Sequence, residues 1–206
     1  MGGLFLLILC GIIFVVMPMG SFLDKLKRVN ENVTAAAQMF GTNRDDVKVI
    51  AVTKSVEKGF LQEQAKALHQ FGIMDLGENR AQELVAKQSH LDGFKWHFLG
   101  HLQRNKVGQV VGKVDLIHSL DSLRLATEIN HVADSRDVVA DVLVAINIAS
   151  EENKYGIEPN ELFNFMEQAS VLPSICIKGL MTMGAFGLSA LEKTKNLKKW
   201  LDYLKI

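Results

Sequence analysis

The sequence has 206 residues, of which 48% are apolar and 22% charged, an ordinary composition for a globular protein with one sizeable core. Its 23 basic and 23 acidic residues cancel, which excludes recognition of nucleic acid or of an anionic membrane by bulk charge. Cys10 and Cys176, the two cysteines, lie far apart, so a disulfide framework is excluded and a reducing compartment is expected.

The first nineteen residues differ from the rest, because no charge occurs from Gly2 to Met19. This is about the minimum length that spans a bilayer, and it has no basic start of the kind a secretory signal needs. Residues 1–19 are therefore interpreted as a false start upstream of Met17 or Met19, a membrane anchor through residues 2–19, or a signal. The domain is taken to run from residue 20 to residue 206. A cytoplasmic location is expected, with a membrane-anchored or mitochondrial one as the alternative.

A helix of about twenty residues is predicted next, since apolar residues from Phe22 to Phe40 recur at spacings of three and four. Ser21 is the predicted cap of its first turn, and Gly41 is the predicted stop.

Short apolar runs then alternate with amphipathic segments, which predicts strands joined by helices and hence a parallel sheet covered on both faces. Periodicity alone leaves open a doubly wound sheet or a (β/α)8 barrel. The predicted strands are 47–54, 72–78, 95–100, 114–120, 142–148 and 175–181, and the helices between them are 60–71, 80–88, 122–132 and 160–169.

Polar residues at the carboxyl ends of these strands are the first candidates for function, because parallel sheets gather their sites there. Lys54 ends the first strand on the same side as Ile50 and Val52. An amine desolvated at such a position can attack an aldehyde. The alternative is a solvated lysine that opens the next helix.

The second and third strands end in further polar groups. Asn79 follows the second and offers both a donor and an acceptor, although helix capping would also explain it. On the third strand, His97 is predicted to be a satisfied core histidine and His101 a residue at the strand ends able to face a ligand. A metal is not expected, because no further ligand follows at a recognisable spacing.

The last three strands end less distinctively. Asp121, after the fourth strand, is interpreted as the N-cap of the following helix. Asn147 ends the fifth strand and precedes a charged loop, while Met181 ends the sixth, where core packing is the commoner use of methionine. No phosphate loop of the Walker or dinucleotide type is present in the sequence.

Six segments together resemble one family: AVTK, GENRAQE, WHFLGHLQRNK, IHSLDS, INIASEENKYGIEP and KGLMTM. Their order and spacing are similar to those of the YggS/PROSC family of pyridoxal phosphate homeostasis proteins, over roughly residues 21–206.

The resemblance implies a barrel of the (β/α)8 TIM type, like the N-terminal domain of alanine racemase. It also implies pyridoxal 5'-phosphate held as an aldimine on Lys54. The other residues that match family positions at or near the cofactor, or on its mobile loop, are Asn79, His101, Asn147, Lys154 and Met181.

One departure from the family concerns the phosphate. Family members continue with two further strands that hold the phosphate and close the barrel, and neither pattern occurs before Ile206. The expected fold is thus a barrel without its last two strands, with weakened phosphate binding.

The main hypothesis is a non-enzymatic carrier that holds pyridoxal phosphate and supplies it to pyridoxal phosphate-dependent apoenzymes, as a monomer. One alternative is an amino acid racemase or decarboxylase, but such enzymes carry a second β domain for which this chain has no room. The other alternative is a degenerate fragment without binding.

Overall fold

A computed structural model describes residues 19–39, 41–54, 56, 58–147 and 155–182 of the chain. The predicted segment 1–19 thus lies outside the described residues, except for Met19. Helices and strands alternate through the described chain. The helices are α1 (Met19–Met39), α2 (Lys58–Gln70), α3 (Ala81–Gln88), α4 (Val107–Val110), α5 (Leu123–Asp134) and α6 (Leu162–Ala169). The strands are β1 (Ile50–Val52), β2 (Asp75–Glu78), β3 (Lys95–Phe98), β4 (Leu116–Leu120), β5 (Ala140–Ala145) and β6 (Ile175–Met181).

Helix α1 confirms the predicted N-terminal helix but not its cap. It begins at Met19, before Ser21, so the prediction that Ser21 caps the first turn is wrong. Its end is as predicted. Gly41 has a φ of 65°, and the N–H groups of Gly41 and Thr42 donate to carbonyl groups of the last turn. A left-handed glycine at this place ends a helix because it has no Cβ to strain.

All six predicted strands are present, in one parallel sheet with the order β1-β2-β3-β4-β5-β6. Strands that follow one another in sequence are therefore neighbours in space all the way across. A doubly wound sheet would reverse direction at a switch point, whereas a barrel keeps a single direction. The topology thus resolves the choice that periodicity left open, in favour of the barrel type. Within the described residues β1 and β6 are not paired, so this barrel is open.

The sheet is buried on both faces, which explains why its strands are continuous apolar runs. Every residue of β2 and of β4 is buried. Helices cover the outer face and bury residues such as Leu84, Leu125 and Phe165 against it. Edge strand β6 differs, since six of its seven residues are only half-buried and Lys178 is exposed.

Candidate ligand-binding site

The carboxyl ends of the parallel strands form one edge, which we call the rim. Lys54 follows β1, Asn79 follows β2 and His101 follows β3. Asp121 follows β4, and Asn147 follows β5. Four of the predicted site residues, together with Asp121, thus lie at the ends of five successive strands along one rim, as expected for a barrel of this type.

Gly77 shows which side of the sheet faces the barrel interior. A Cβ added there would lie 2.5 Å from Leu99 Cδ1 and 3.1 Å from Ile50 Cγ2, so side chains of both neighbouring strands meet over this glycine. Adjacent Glu78 points the other way, toward helix α3, because successive side chains of a strand alternate. Ile50 and Val52 share this interior side by the same alternation, and Lys54 lies in the turn directly after β1, two residues past Val52.

A buried network on the helix side fixes the backbone just before Lys54 and at Asn79. Its members are Thr53, Glu78 and Lys87, and we call it the helix-side network. Lys87 Nζ donates to Glu78 Oε1 at 2.6 Å and to the Thr53 carbonyl at 2.7 Å. Thr53 Oγ1 donates to the same carboxylate oxygen at 2.5 Å, and the other oxygen accepts from the backbone N–H of Asn79 at 3.2 Å. One carboxylate therefore ties together the ends of β1 and β2.

The lysines near the sheet differ in their freedom to react. Lys87 is 1% exposed and is held by Glu78, with Glu83 at 3.5 Å from its Nζ. Lys178 pairs with Asp141 at 3.3 Å; its side-chain hydrogen bonds to Cys176 and then Asp141 raise its pKa. Lys54 is half-buried and forms no ion pair within the part of the chain that the structure describes. Of these three lysines it is the one that no carboxylate holds.

A second polar network crosses the barrel interior from β1 to β4. Its members, which we call the interior chain, are Lys48, Asp75, His97 and His118. Asp75 Oδ1 accepts from Lys48 Nζ at 3.1 Å and from His97 Nε2 at 2.8 Å, and His97 Nδ1 lies 2.8 Å from His118 Nε2. This confirms the prediction that His97 is a satisfied core histidine. His118 Nδ1, at the far end, has no hydrogen-bond partner among the described residues.

Burial and charge shift the protonation of this interior chain. Burial, followed by the charge of His97, lowers the pKa of His118 to about 3, so its ring is neutral at ordinary pH. Burial alone would raise the pKa of Asp75, but the hydrogen bonds from His97 and Lys48 outweigh it and leave the pKa lowered.

His101 lies at the rim as predicted, but its partner was not predicted. Its Nδ1 is 2.9 Å from Asp121 Oδ2, and its ring stacks on Tyr155 with centroids 3.6 Å apart and planes at 12°. The interpretation of Asp121 as the helix cap is wrong. Ser122 is the N-cap of α5 and accepts from the N–H of Leu125 at 3.3 Å, which leaves the Asp121 carboxylate free for His101.

The remaining predicted residues are placed less tightly around the rim. Asn147 is buried, and its Nδ2 donates to Glu158 Oε1 at 3.0 Å, while its backbone N–H donates to Ile157. Met181 is half-buried at the end of β6, and its carbonyl accepts from Ile146 N–H at 2.9 Å. Lys154 lies outside the described residues.

Two classes of site find no support in the described ranges. No group of three or more His, Cys, Asp and Glu side chains there could hold a metal ion. Nor does any helix in these ranges have the length and apolar character needed to cross a membrane.

The structure adds Thr53, Glu78, Lys87, Asp121 and Tyr155 to the residues that shape the rim. Lys87 had a signal in the sequence, because it continues the apolar face of α3 that Ala81 and Leu84 begin at three-residue spacing. A charged residue on such a face implies a buried partner. No comparable pattern marked Tyr155.

Comparison with known proteins agrees with this fold. Residues 25–204 match the family model described as alanine racemase, N-terminal domain. The pyridoxal phosphate homeostasis protein of Aquifex aeolicus is 35% identical over 184 residues, which cover 88% of this chain and 77% of that protein. PipY of Synechococcus elongatus, solved with pyridoxal phosphate bound, is 29% identical with a TM-score of 0.68, covering 83% of this chain and 79% of PipY.

An alanine racemase of Clostridium difficile shares the fold at a TM-score of 0.67 and 24% identity, covering 89% of this chain but 47% of the racemase. The chain therefore belongs to the alanine racemase N-terminal domain family and, within it, to the pyridoxal phosphate homeostasis proteins of the YggS type.

Proposed function

We propose that this protein binds pyridoxal 5'-phosphate without catalysing a reaction of its own, as part of vitamin B6 homeostasis, and that Lys54 is the residue that takes the aldehyde. The names of its relatives and the cofactor bound to PipY support the ligand. The alanine racemase supports only the fold, since this chain matches less than half of that enzyme.

The observation that carries the proposal is the environment of Lys54. The residue before it, Thr53, is 2% exposed, and its N–H, carbonyl and hydroxyl groups are all hydrogen-bonded. The backbone just before the lysine is therefore fixed, while Lys54 as a residue is half-buried and its amine forms no ion pair within the described ranges. Pyridoxal phosphate supplies an aldehyde carbon, and an amine held in this way can attach to it reversibly.

The rim also fits a flat, polar ring beside Lys54. Asn79 is half-buried, and its backbone N–H is held by Glu78. Its side-chain amide has both a donor and an acceptor to offer to such a ring. His101 adds a planar ring on the next strand. The phosphate-holding strands that the family resemblance implies are not among the described residues, so no residue is assigned to the phosphate.

Such a protein limits the free concentration of a reactive aldehyde and passes it to apoenzymes that need it. Reversible attachment to one lysine suffices for both roles, and neither requires a catalytic acid or base that acts on an amino acid. The compartment in which this takes place is proposed to be the cytoplasm.

The test is to mix the purified protein with pyridoxal phosphate, reduce it with borohydride and locate the modified lysine by mass spectrometry. We expect a pyridoxyl group on Lys54, and no specific modification in Lys54→Ala. Lys178→Ala is the matched control, since Lys178 is also on the sheet but is exposed and paired with Asp141; it should label like the parent protein.

Two results would contradict the proposal. Modification of another lysine in the folded parent protein would remove Lys54 from its role. Turnover of an amino acid by the loaded protein, at a rate that Lys54→Ala abolishes, would show an enzyme rather than a carrier.

A further inference from the structure

The pair formed by His101 and Asp121 is not explained by folding alone. His101 is exposed, and its side chain retains 32% of its accessible surface, so it adds little to the core. Asp121 is 11% exposed at its side chain and does not cap α5, because Ser122 does. Helix capping therefore does not explain why the Asp121 carboxylate lies against His101 at the rim.

The chemistry of the contact fixes the protonation of the ring. An ionised carboxylate only accepts hydrogen bonds, so His101 Nδ1 must carry the hydrogen that Asp121 Oδ2 receives at 2.9 Å. In the neutral ring the other nitrogen, Nε2, is then an unprotonated acceptor. Tyr155 stacks on the ring face at 3.6 Å and so restricts its rotation. Tautomer and ring plane are thus both set before any ligand arrives.

The position of the pair relates it to Lys54. Strands β1, β2 and β3 are consecutive neighbours and adjacent strands lie about 5 Å apart, so Lys54 and His101 follow strands that are separated by two strand spacings. Both residues lie at the same rim, with only the Asn79 strand end between them. Two long side chains that leave the rim toward a shared ligand can span such a gap.

We propose that Asp121 is a positioning residue, which holds His101 with a proton-accepting Nε2 so that this ring exchanges protons at the rim during uptake and release of an aldehyde at Lys54. This inference rests on the proposed function. Forming a C=N bond from an amine and an aldehyde releases one water, so the nitrogen must lose protons and the departing oxygen must gain them. Starting from a neutral amine, His101 Nε2 would accept the two protons that Lys54 Nζ loses, one at each stage, and would return each of them to the departing oxygen, which leaves as water; after each transfer the ring regains its starting charge.

The first test needs no cofactor. In apoprotein labelled with 15N-histidine, at a pH where the ring is neutral, the His101 nitrogen shifts should show hydrogen on Nδ1. In Asp121→Asn the side-chain amide can turn its NH2 group toward Nδ1, so the hydrogen should move to Nε2. A parent protein with hydrogen on Nε2 would overturn the proposal.

The second test measures the rate at which the visible absorption of attached pyridoxal phosphate develops after mixing. Asp121→Asn and His101→Gln should each slow it by about 100-fold, the lower range for a positioned proton carrier. The double variant should be no slower than His101→Gln, because the two residues act as one unit. Asp141→Asn, which removes an exposed ion pair away from the rim, is the matched control and should keep the parent rate.

The outcomes separate this inference from the proposed function. Labelling of Lys54 at the parent rate in both Asp121→Asn and His101→Gln would overturn the role of the pair and leave the carrier intact. Absence of labelling at Lys54 in the parent would refute the carrier, whatever the tautomer of His101. His101→Gln guards against a folding artefact, since it alters an exposed side chain.

Discussion

Strand β2 carries a carboxylate at each end, and the two carboxylates lie on opposite faces of the sheet and contact different side chains. Glu78, on the helix side, is fully buried and bound by Lys87, Thr53 and a backbone N–H. Asp75, on the interior side, is bound by His97 and Lys48. The interior chain to which it belongs ends at His118 Nδ1, which has no hydrogen-bond partner among the described residues. The first network depends on a lysine, and the second on two histidine rings, of which burial lowers the pKa of His118 to about 3.

The difference separates two tasks. The helix-side network holds the rim in place, because it contacts the residues before Lys54 and at Asn79. The interior chain contacts neither of them, and we expect it to make the barrel sensitive to acid, because burial lowers the pKa of His118. Substitutions and pH can therefore test the two faces independently.

The largest effect is expected from Lys87→Met. It leaves the Glu78 carboxylate buried without its cation, and breaking one side of a buried pair costs about 3–5 kcal/mol. Urea denaturation should show this loss in the free energy of unfolding. The double variant Lys87→Met with Glu78→Gln should recover part of it, since no buried charge remains; a double variant less stable than Lys87→Met would contradict this account.

Acid should weaken the interior chain, with an effect of intermediate size. The folded-state pKa of His118 is about 3, below its ordinary 6.5, so the folded protein binds fewer protons than the unfolded chain. This contribution is complete above pH 6.5 and is lost as the pH falls from there toward 3. From pH 7.5 to 5.5 it amounts to about 1 kcal/mol, and the lowered pKa of Asp75 adds loss of the same sign at more acidic pH.

Denaturation of the parent and of His118→Gln at both pH values measures this term. The pH dependence should be smaller in the variant. His131→Gln, which replaces an exposed histidine, is the control and should retain the parent dependence. An unchanged slope in His118→Gln would assign the acid sensitivity elsewhere.

The smallest effect is expected from Lys48→Met. Lys48 keeps 39% of its side-chain surface and is one of two donors to Asp75, so its loss should cost no more than about 1 kcal/mol. Thermal unfolding at low and high salt would show it, with the difference from the parent smaller at high salt. A loss of unfolding free energy as large as that of Lys87→Met would contradict the difference that we infer between the two faces of the sheet.

The strands were predictable because continuous apolar runs are required wherever helices cover both faces of a sheet. All six predicted strands are present, although β1 is shortened to Ile50–Val52. Their spatial order could not be read from periodicity, which describes each segment singly and says nothing about its neighbours.

The site was predictable only in part, for a similar reason. Lys54, Asn79 and His101 were candidates because strand ends converge at one rim, and the family resemblance is what assigned them to the cofactor. Asp121 was interpreted as a cap because an acidic residue directly before a helix is a common capping pattern. The pairing of Asp121 with His101 leaves no such pattern in the sequence, because the two residues are 20 positions apart. Ser122, one residue later, satisfies the same helix end, and only the folded chain shows which of the two is used.

Gly100 is not one of the residues proposed to contact a ligand, yet the close approach of the chain after β3 to Asn79 at the rim requires that it have no side chain. A Cβ at this position would collide with the carbonyl oxygen, carbonyl carbon and Cα of Asn79, and backbone cannot turn aside as a flexible side chain can. Any replacement would thus push apart the ends of β2 and β3 at the rim, next to the end of β1 that carries Lys54. A genetic screen for impaired vitamin B6 homeostasis should therefore recover substitutions of this glycine among its strongest alleles, although glycine has no side chain that could take part in binding.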